Sequence, residues 1–162
     1  MSKLIAICGK ICSGKSWYAR ALKEQHPAVI LSTDEVTYDL IDNEQGERYD
    51  AFCVRVNAYL LKKAIEIVQA GADVILDWGF WRKEQRRALS EDCAAKGVTV
   101  EWHYVEIDDA SWQKNIAERN RRISEGRGGS DFFVDDGLRK KLLSLWEAPT
   151  HDEINVWHSV KR

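Results

Sequence analysis

The chain has 162 residues, enough for one domain with a substantial core. Its formal net charge is −2, with 44% hydrophobic and 31% charged residues, a balance that fits a soluble globular protein and disfavours long nucleic acid as a partner. No apolar run approaches the roughly 20 residues of a membrane span, and the apolar start LIAIC leads into Gly-Lys rather than a cleavage site, so the expectation is a cytoplasmic protein without a membrane partner.

In chain order, KLIAIC reads as a short buried strand. Residues 15–25 read as a helix, ended by Pro27, and AVILS at 28–32 as a second strand. From about Glu47 to Ala70, Phe52, Val56, Leu60, Ala64 and Val68 recur every four residues, with Leu61 and Ile65 beside them, which predicts a long helix stopped by Gly71. DVILD at 73–77 is a third strand. Residues 82–96 predict a helix with Leu89 and Cys93 inward, ended by Gly97. VTVEWHYVEI at 98–107 is a fourth strand, and 109–123 a helix capped by Asp108 or Asp109. A glycine-rich loop, SEGRGGSDFF, precedes a helix near 135–146 and a last strand near 154–158. Strands alternating with helices predict an α/β fold, a three-layer sandwich around a mostly parallel five-stranded sheet, with ligands at the carboxyl ends of the strands.

The motif at that edge is GKICSGKS, residues 9–16, between the first strand and the first helix. A phosphate chain wrapped in backbone N–H groups needs side chains absent where the backbone curls, which Gly9 and Gly14 provide. The next helix points its N-terminus at the anion. Lys15 can reach the β- and γ-phosphates and the Ser16 hydroxyl can ligate Mg²⁺. The expected nucleotide-binding set is therefore Gly9, Lys10, Ile11, Cys12, Ser13, Gly14, Lys15, Ser16 and Trp17, with ATP and Mg²⁺ as the bound species.

Three further places carry chemistry. Asp34, in STDEV after the second strand, can accept a proton from an acceptor hydroxyl; a helix cap is its plainer reading. Asp77, at the end of the third strand, stands where Mg²⁺ or its water shell is held, or simply ends a strand. Arg119, Arg121, Arg122 and Arg127 cluster beside a flexible loop and can neutralise a transferring phosphoryl group; a solvated helix end is the alternative. Trp78, Phe80, Trp81, Arg82 and Arg86 follow Asp77 and are candidates for an acceptor pocket, against core packing for the aromatics and solvation for the arginines. Trp102, Trp112 and Trp146 read as core. The cysteines Cys8, Cys12, Cys53 and Cys93 form no CxxC pair and read as reduced thiols rather than a zinc site.

With these motifs the chain resembles the small P-loop kinases grouped with chloramphenicol phosphotransferase, zeta toxins and the kinase domain of phage-type polynucleotide kinase. The likeness runs through GKICSGKS, STDE, DWGFWRKEQR and ERNRR, and DWGFW is shared with uncharacterised ATPases of the group. It implies a P-loop NTPase kinase fold over residues 1–162, with Asp34 as general base and lid arginines among Arg119, Arg122 and Arg127. The sequence departs from the group at Trp17, where threonine is common, and at Trp78, which interrupts an Asp-Gly-Phe-Pro-like segment. The expected activity is ATP- and Mg²⁺-dependent transfer of the γ-phosphate to a hydroxyl of a small molecule, such as an antibiotic or metabolite. A nucleoside or oligonucleotide 5′-hydroxyl kinase and a nucleotide-gated regulatory NTPase stay open beside it. The expected lid spans 125–134, and the expected state is a monomer or homodimer.

Overall fold

A computed structural model describes residues 1–41 and 47–160. The elements follow as β1 (Leu4–Cys8), α1 (Lys15–Gln25), β2 (Ala28–Ser32), α2 (Thr33–Leu40), α3 (Glu47–Gln69), β3 (Asp73–Asp77), α4 (Lys83–Ala94), β4 (Val100–Ile107), α5 (Asp109–Ser124), α6 (Asp136–Leu145) and β5 (Val156–Val160). The strands form one sheet in the order β2-β3-β1-β4-β5, and every strand pairing among the described residues is parallel.

Alternation along β1 builds the layers. Leu4, Ala6 and Cys8 face one side and pack with Val56, Leu60, Ala64 and Val68 of α3 and Leu89 and Cys93 of α4. Ile5 and Ile7 face the other side and pack with Tyr18 and Ala19 of α1. Both faces are therefore buried, which is why the strands read as continuous apolar runs. Each fully buried aliphatic side chain contributes about 1.5–3 kcal/mol. No helix among the described residues is long and apolar enough to cross a membrane.

The register sets the site. Ile7 pairs with Asp77, and Asp77 with Ser32. The central strand and its two neighbours on one side thus end at one level, so the segments that leave them share one sheet edge.

The structure differs from the sequence expectations in two elements. Residues 33–40, for which the sequence predicts no element, are a helix started by the Ser32 side chain, which accepts from Glu35 N at 3.3 Å. Asp34 is therefore inside the first turn and is not its cap. β5 lies two residues later than expected, because 151–153 form a 3₁₀ turn and Asn155 is bound on both sides to Trp102: Asn155 N donates to Trp102 O at 2.9 Å, and Trp102 N donates to Asn155 Oδ1 at 2.7 Å.

Candidate active site

The loop between β1 and α1 turns tightly, with Ser13 N donating to Lys10 O at 3.1 Å. Cys12 takes a positive φ of 59° and Gly14 one of 98°, so the backbone winds through left-handed conformations that turn successive N–H groups inward. A Cβ at Gly9 would stand 2.7 Å from both Ser13 Oγ and Val105 O, so only glycine fits there. Ser13 Oγ is buried without a hydrogen-bond partner among the described residues, and α1 begins at Gly14 with no side chain capping its N–H groups. A buried donor, open helix N–H groups and a side-chain-free cradle fit a phosphate group.

Two bonds from the neighbouring helix fix this loop from behind. Trp112 Nε1 donates to Ile11 O at 2.7 Å, and Asn115 Nδ2 to Cys12 O at 2.9 Å. Lys10 lies over the Trp112 ring, 5.0 Å from its centre. Trp17 points outward and is 64% exposed. The thiols are free; burial raises Cys12 and pushes Cys8 up to about 11, so both stay protonated.

Lys15 folds back over the loop and donates to Gly9 O at 3.0 Å and Lys10 O at 2.9 Å. Burial pushes its ammonium below the usual lysine range, while Asp77 pulls the other way and Arg119 adds to the depression. Ser16 Oγ donates to Asp77 Oδ2 at 2.6 Å, which joins the start of α1 to the end of β3. No group of three or more His, Cys, Asp or Glu side chains suited to a metal occurs among the described residues. Ser16 and Asp77 supply one hydroxyl and one carboxylate, an oxygen pair of the kind a hard cation takes beside phosphate and water.

Asp34 is exposed to solvent on the first turn of α2, with Lys15, Asp77 and Arg119 near enough to act on its carboxylate. Burial raises its pKa, and the Asp77 carboxylate raises it further; Lys15 and Arg119 oppose, and Asp131 adds to the rise. Behind it, Thr37 Oγ1 donates to Asp34 O at 3.1 Å and lies 3.4 Å from the Tyr49 hydroxyl. Tyr49 meets Phe132 edge to face, with ring centres 5.8 Å apart. Burial pushes the Tyr49 phenol up to about 12, so it stays neutral. Sequence reasoning missed Thr37 and Tyr49, which carry no local signal, and Phe132.

The three expected arginines separate. Arg119 Nη2 lies 3.5 Å from Asp131 Oδ1, and Arg122 Nη2 lies 3.3 Å from Asp131 Oδ2. Both sit on the loop side of α5, and Arg119 is near enough to Lys15 and Asp34 to affect each. Arg127 is exposed and pairs with Glu125. Arg121 is exposed between Glu118 and Glu125.

Three candidates of the DWGFWRKEQR segment, Trp78, Phe80 and Arg86, are buried and not placed for an acceptor; Phe80 packs between Trp78 and Trp102. Trp78 is buried, stacks on Phe80 and donates from Nε1 to Leu31 O at 3.0 Å, because the core under β2 and β3 takes its ring. Arg86 is 2% exposed: its Nε donates to Glu153 Oε1 at 3.1 Å, and its Nη1 to Phe80 O at 3.1 Å and Glu147 O at 3.0 Å. Those partners hold it in the protein, so it neither binds an anionic acceptor nor is solvated. Trp81 is half-buried and lines a small pocket shared with Lys10, Ile11 and Trp112, and Arg82 is exposed at the start of α4.

Solved structures share this architecture. The chain is similar to a putative kinase from Chloroflexus aurantiacus J-10-fl, with 18% identity and a TM-score of 0.68 over 98% of this chain and 87% of that one. It is similar to Chaetomium thermophilum Kti12 in complex with ADP-AlF3, with 18% identity and a TM-score of 0.67 over 97% and 88%. An unliganded sugar kinase from Janibacter sp. HTCC2649 matches with 15% identity and a TM-score of 0.63 over 98% and 86%. At these identities the likeness is one of fold, that of the P-loop kinases. No curated protein matches the chain. Residues 4–148 match the family described as an AAA domain, a span that holds the phosphate-binding loop, Asp34, Asp77 and the arginines, and the chain belongs to that family.

Proposed function

We propose that the protein binds ATP with Mg²⁺ at residues 9–17 and transfers the γ-phosphate to a hydroxyl of a small molecule. The observation that carries this reading is Asp34. It is a second carboxylate on its own helix, within the field of Lys15, Asp77 and Arg119. Such a group has a direct task in transfer to a hydroxyl, whose proton it can take. Its raised pKa suits a group that must take a proton and then release it.

In this reading the loop N–H groups and Lys15 hold the β- and γ-phosphates. The acceptor oxygen forms its bond to the γ-phosphorus as its proton passes to Asp34, and the bond to the β–γ bridging oxygen breaks to release ADP. Arg119 and Arg122, and Arg127 from the loop, neutralise the spreading charge. Ser16 and Asp77 would hold Mg²⁺, which when bound supplies further neutralisation. Trp81 and Arg82 flank the acceptor side.

Residues 1–162 act together as one kinase-like domain, which the near-complete cover by kinase structures supports, in a cytoplasmic setting that the free thiols fit; 125–134 is its lid, and the state is a monomer or homodimer. The Tyr49–Phe132 pair behind Asp34 favours one second reading, a nucleoside or oligonucleotide 5′-hydroxyl acceptor, because aromatic edges and faces suit a base.

The test is transfer of ³²P from γ-labelled ATP onto a panel of antibiotics, nucleosides and oligonucleotides. Mg²⁺-dependent label on a small-molecule hydroxyl is expected. Label on nucleosides or oligonucleotides alone selects the second reading, and phosphate release with no labelled acceptor selects a regulatory NTPase.

A further inference from the structure

We infer that Asp131 is an internal anion that competes with the terminal phosphate of a bound nucleotide for Arg119 and Arg122, and so sets how strongly the site prefers a triphosphate. The inference rests on the nucleotide-binding reading above. Its basis is one carboxylate divided between two arginines. Oδ1 faces Arg119 at 3.5 Å and Oδ2 faces Arg122 at 3.3 Å. Both separations exceed the 2.7–2.9 Å or so of a well-made charge-assisted bond. Asp131 satisfies neither arginine fully, and Arg122 Nε is buried without a hydrogen-bond partner among the described residues. A terminal phosphate has three oxygens and about twice the charge, so it can give each arginine its own acceptor.

The carboxylate is also on the correct side of the arginines. Cys12, in the phosphate loop, lies within the field of Arg119, Lys15, Asp131 and Arg122, and Asp34 feels Asp131 as well. The helix behind Asp131 and the residue that ends its loop are anchored. The Asn120 side chain grips Val134 from both directions, accepting from Val134 N and donating to Val134 O at 2.8 Å each. Val134 is buried, and Trp112 and Asn115 fasten α5 to the loop. The Asp131 backbone sits in a glycine-rich stretch, its N–H donating to Gly128 O at 3.0 Å. The arginines are thus fixed relative to the phosphate loop, and the anion is the part that can leave.

The experiment measures binding of Mg²⁺ complexes of a non-hydrolysable ATP analogue, and of AMP, by calorimetry. Wild type is compared with Asp131→Asn, Asp131→Ser and Asp131→Glu, each checked by thermal melting. Releasing one or two partly exposed ion pairs should tighten the analogue by roughly three- to thirtyfold in the neutral variants. AMP should change by less than about twofold, and Asp131→Glu should keep the wild-type ratio. A merely structural Asp131 gives the opposite sign, weaker analogue binding with a lower melting temperature. Unchanged or weaker binding in a folded neutral variant overturns the inference. A second readout needs no variant. In the wild-type protein the ¹⁵Nε signals of Arg119 and Arg122 should move with the analogue and stay with AMP, and equal movement with both overturns it. Wild type that binds neither nucleotide overturns the functional reading itself, a different result from either.

Discussion

Ser16 and Asp77 meet across 61 positions of sequence, hydroxyl to carboxylate at 2.6 Å, and tie the first turn of α1 to the tip of β3. This contact places an oxygen pair beside the phosphate loop. Asp77→Asn keeps the shape and removes the charge. If the pair holds Mg²⁺, the variant should need about tenfold or more Mg²⁺ for half-maximal phosphate transfer, with activity partly restored at high Mg²⁺. A Mg²⁺ titration of the initial rate reads this directly, and an unshifted curve would remove Asp77 from the metal site.

Asp34→Asn tests the base. ATP binding should survive while transfer falls by roughly 10²–10⁴-fold. The pH dependence adds a second check. The folded pKa of Asp34 is raised, chiefly by burial and then by Asp77, so its active, charged form appears only above the ordinary aspartate value. Activity in the wild type should therefore rise with pH through that raised value, and the limb should be absent from the residual activity of Asp34→Asn. Near-wild-type transfer in the variant would leave Asp77 as the essential carboxylate.

Arg127 now rests on Glu125 at the surface. A triphosphate offers it a stronger partner, so ATP with Mg²⁺ should draw the 125–134 segment inward and slow its proteolysis several-fold. Limited digestion with and without a non-hydrolysable analogue measures this. Equal cleavage rates would argue against a lid.

Arg86 bears on stability rather than catalysis. Replacing it with methionine takes the counter-charge from half-buried Glu153 and frees two carbonyls, a loss of about 2–3 kcal/mol by urea unfolding. The sign of the pH effect follows from Glu153. Burial alone would raise its pKa, but the Thr150 N–H and the Arg86 guanidinium outweigh burial and hold it below 4.5. Its contribution is then complete above that ordinary value and is lost as pH falls through the depressed one. Arg86→Met should flatten this acid limb of the stability curve; a limb as steep as in wild type would show that the pair is not its source.

The contrast between Arg86 and Lys15 shows what the sequence made legible. Lys15 belongs to a contiguous loop whose glycines, lysine and serine have one joint geometry, so eight adjacent residues suffice to place it. Arg86 depends on Glu153, 67 positions away, and no local pattern distinguishes it from a solvated arginine on α4. Trp78 fails in the same way, since its partner Leu31 belongs to another strand. Long amphipathic α3 was readable from its four-residue repeat. Short α2 was not, because its eight residues include Thr33, Val36 and Thr37, which favour strands, and its start depends on one serine cap. Asp131 had a signal, an acidic residue just past an arginine cluster, but only folding the loop back on α5 reveals that both arginines share it.

Trp112, Asn115, Arg119 and Arg122 are spaced by three, four and three positions, so they lie along one stripe of α5. The first two fasten the helix to the phosphate loop and the last two face Asp131. Fastener and tool are thus in helical phase. One residue inserted between Asn115 and Arg119 would leave the fastening intact and turn both arginines away by about 100°. Between them Ala117 and Glu118 face solvent and can change their letters, Ile116 is held in the core beside Cys12 and Trp112, and the segment cannot change its length.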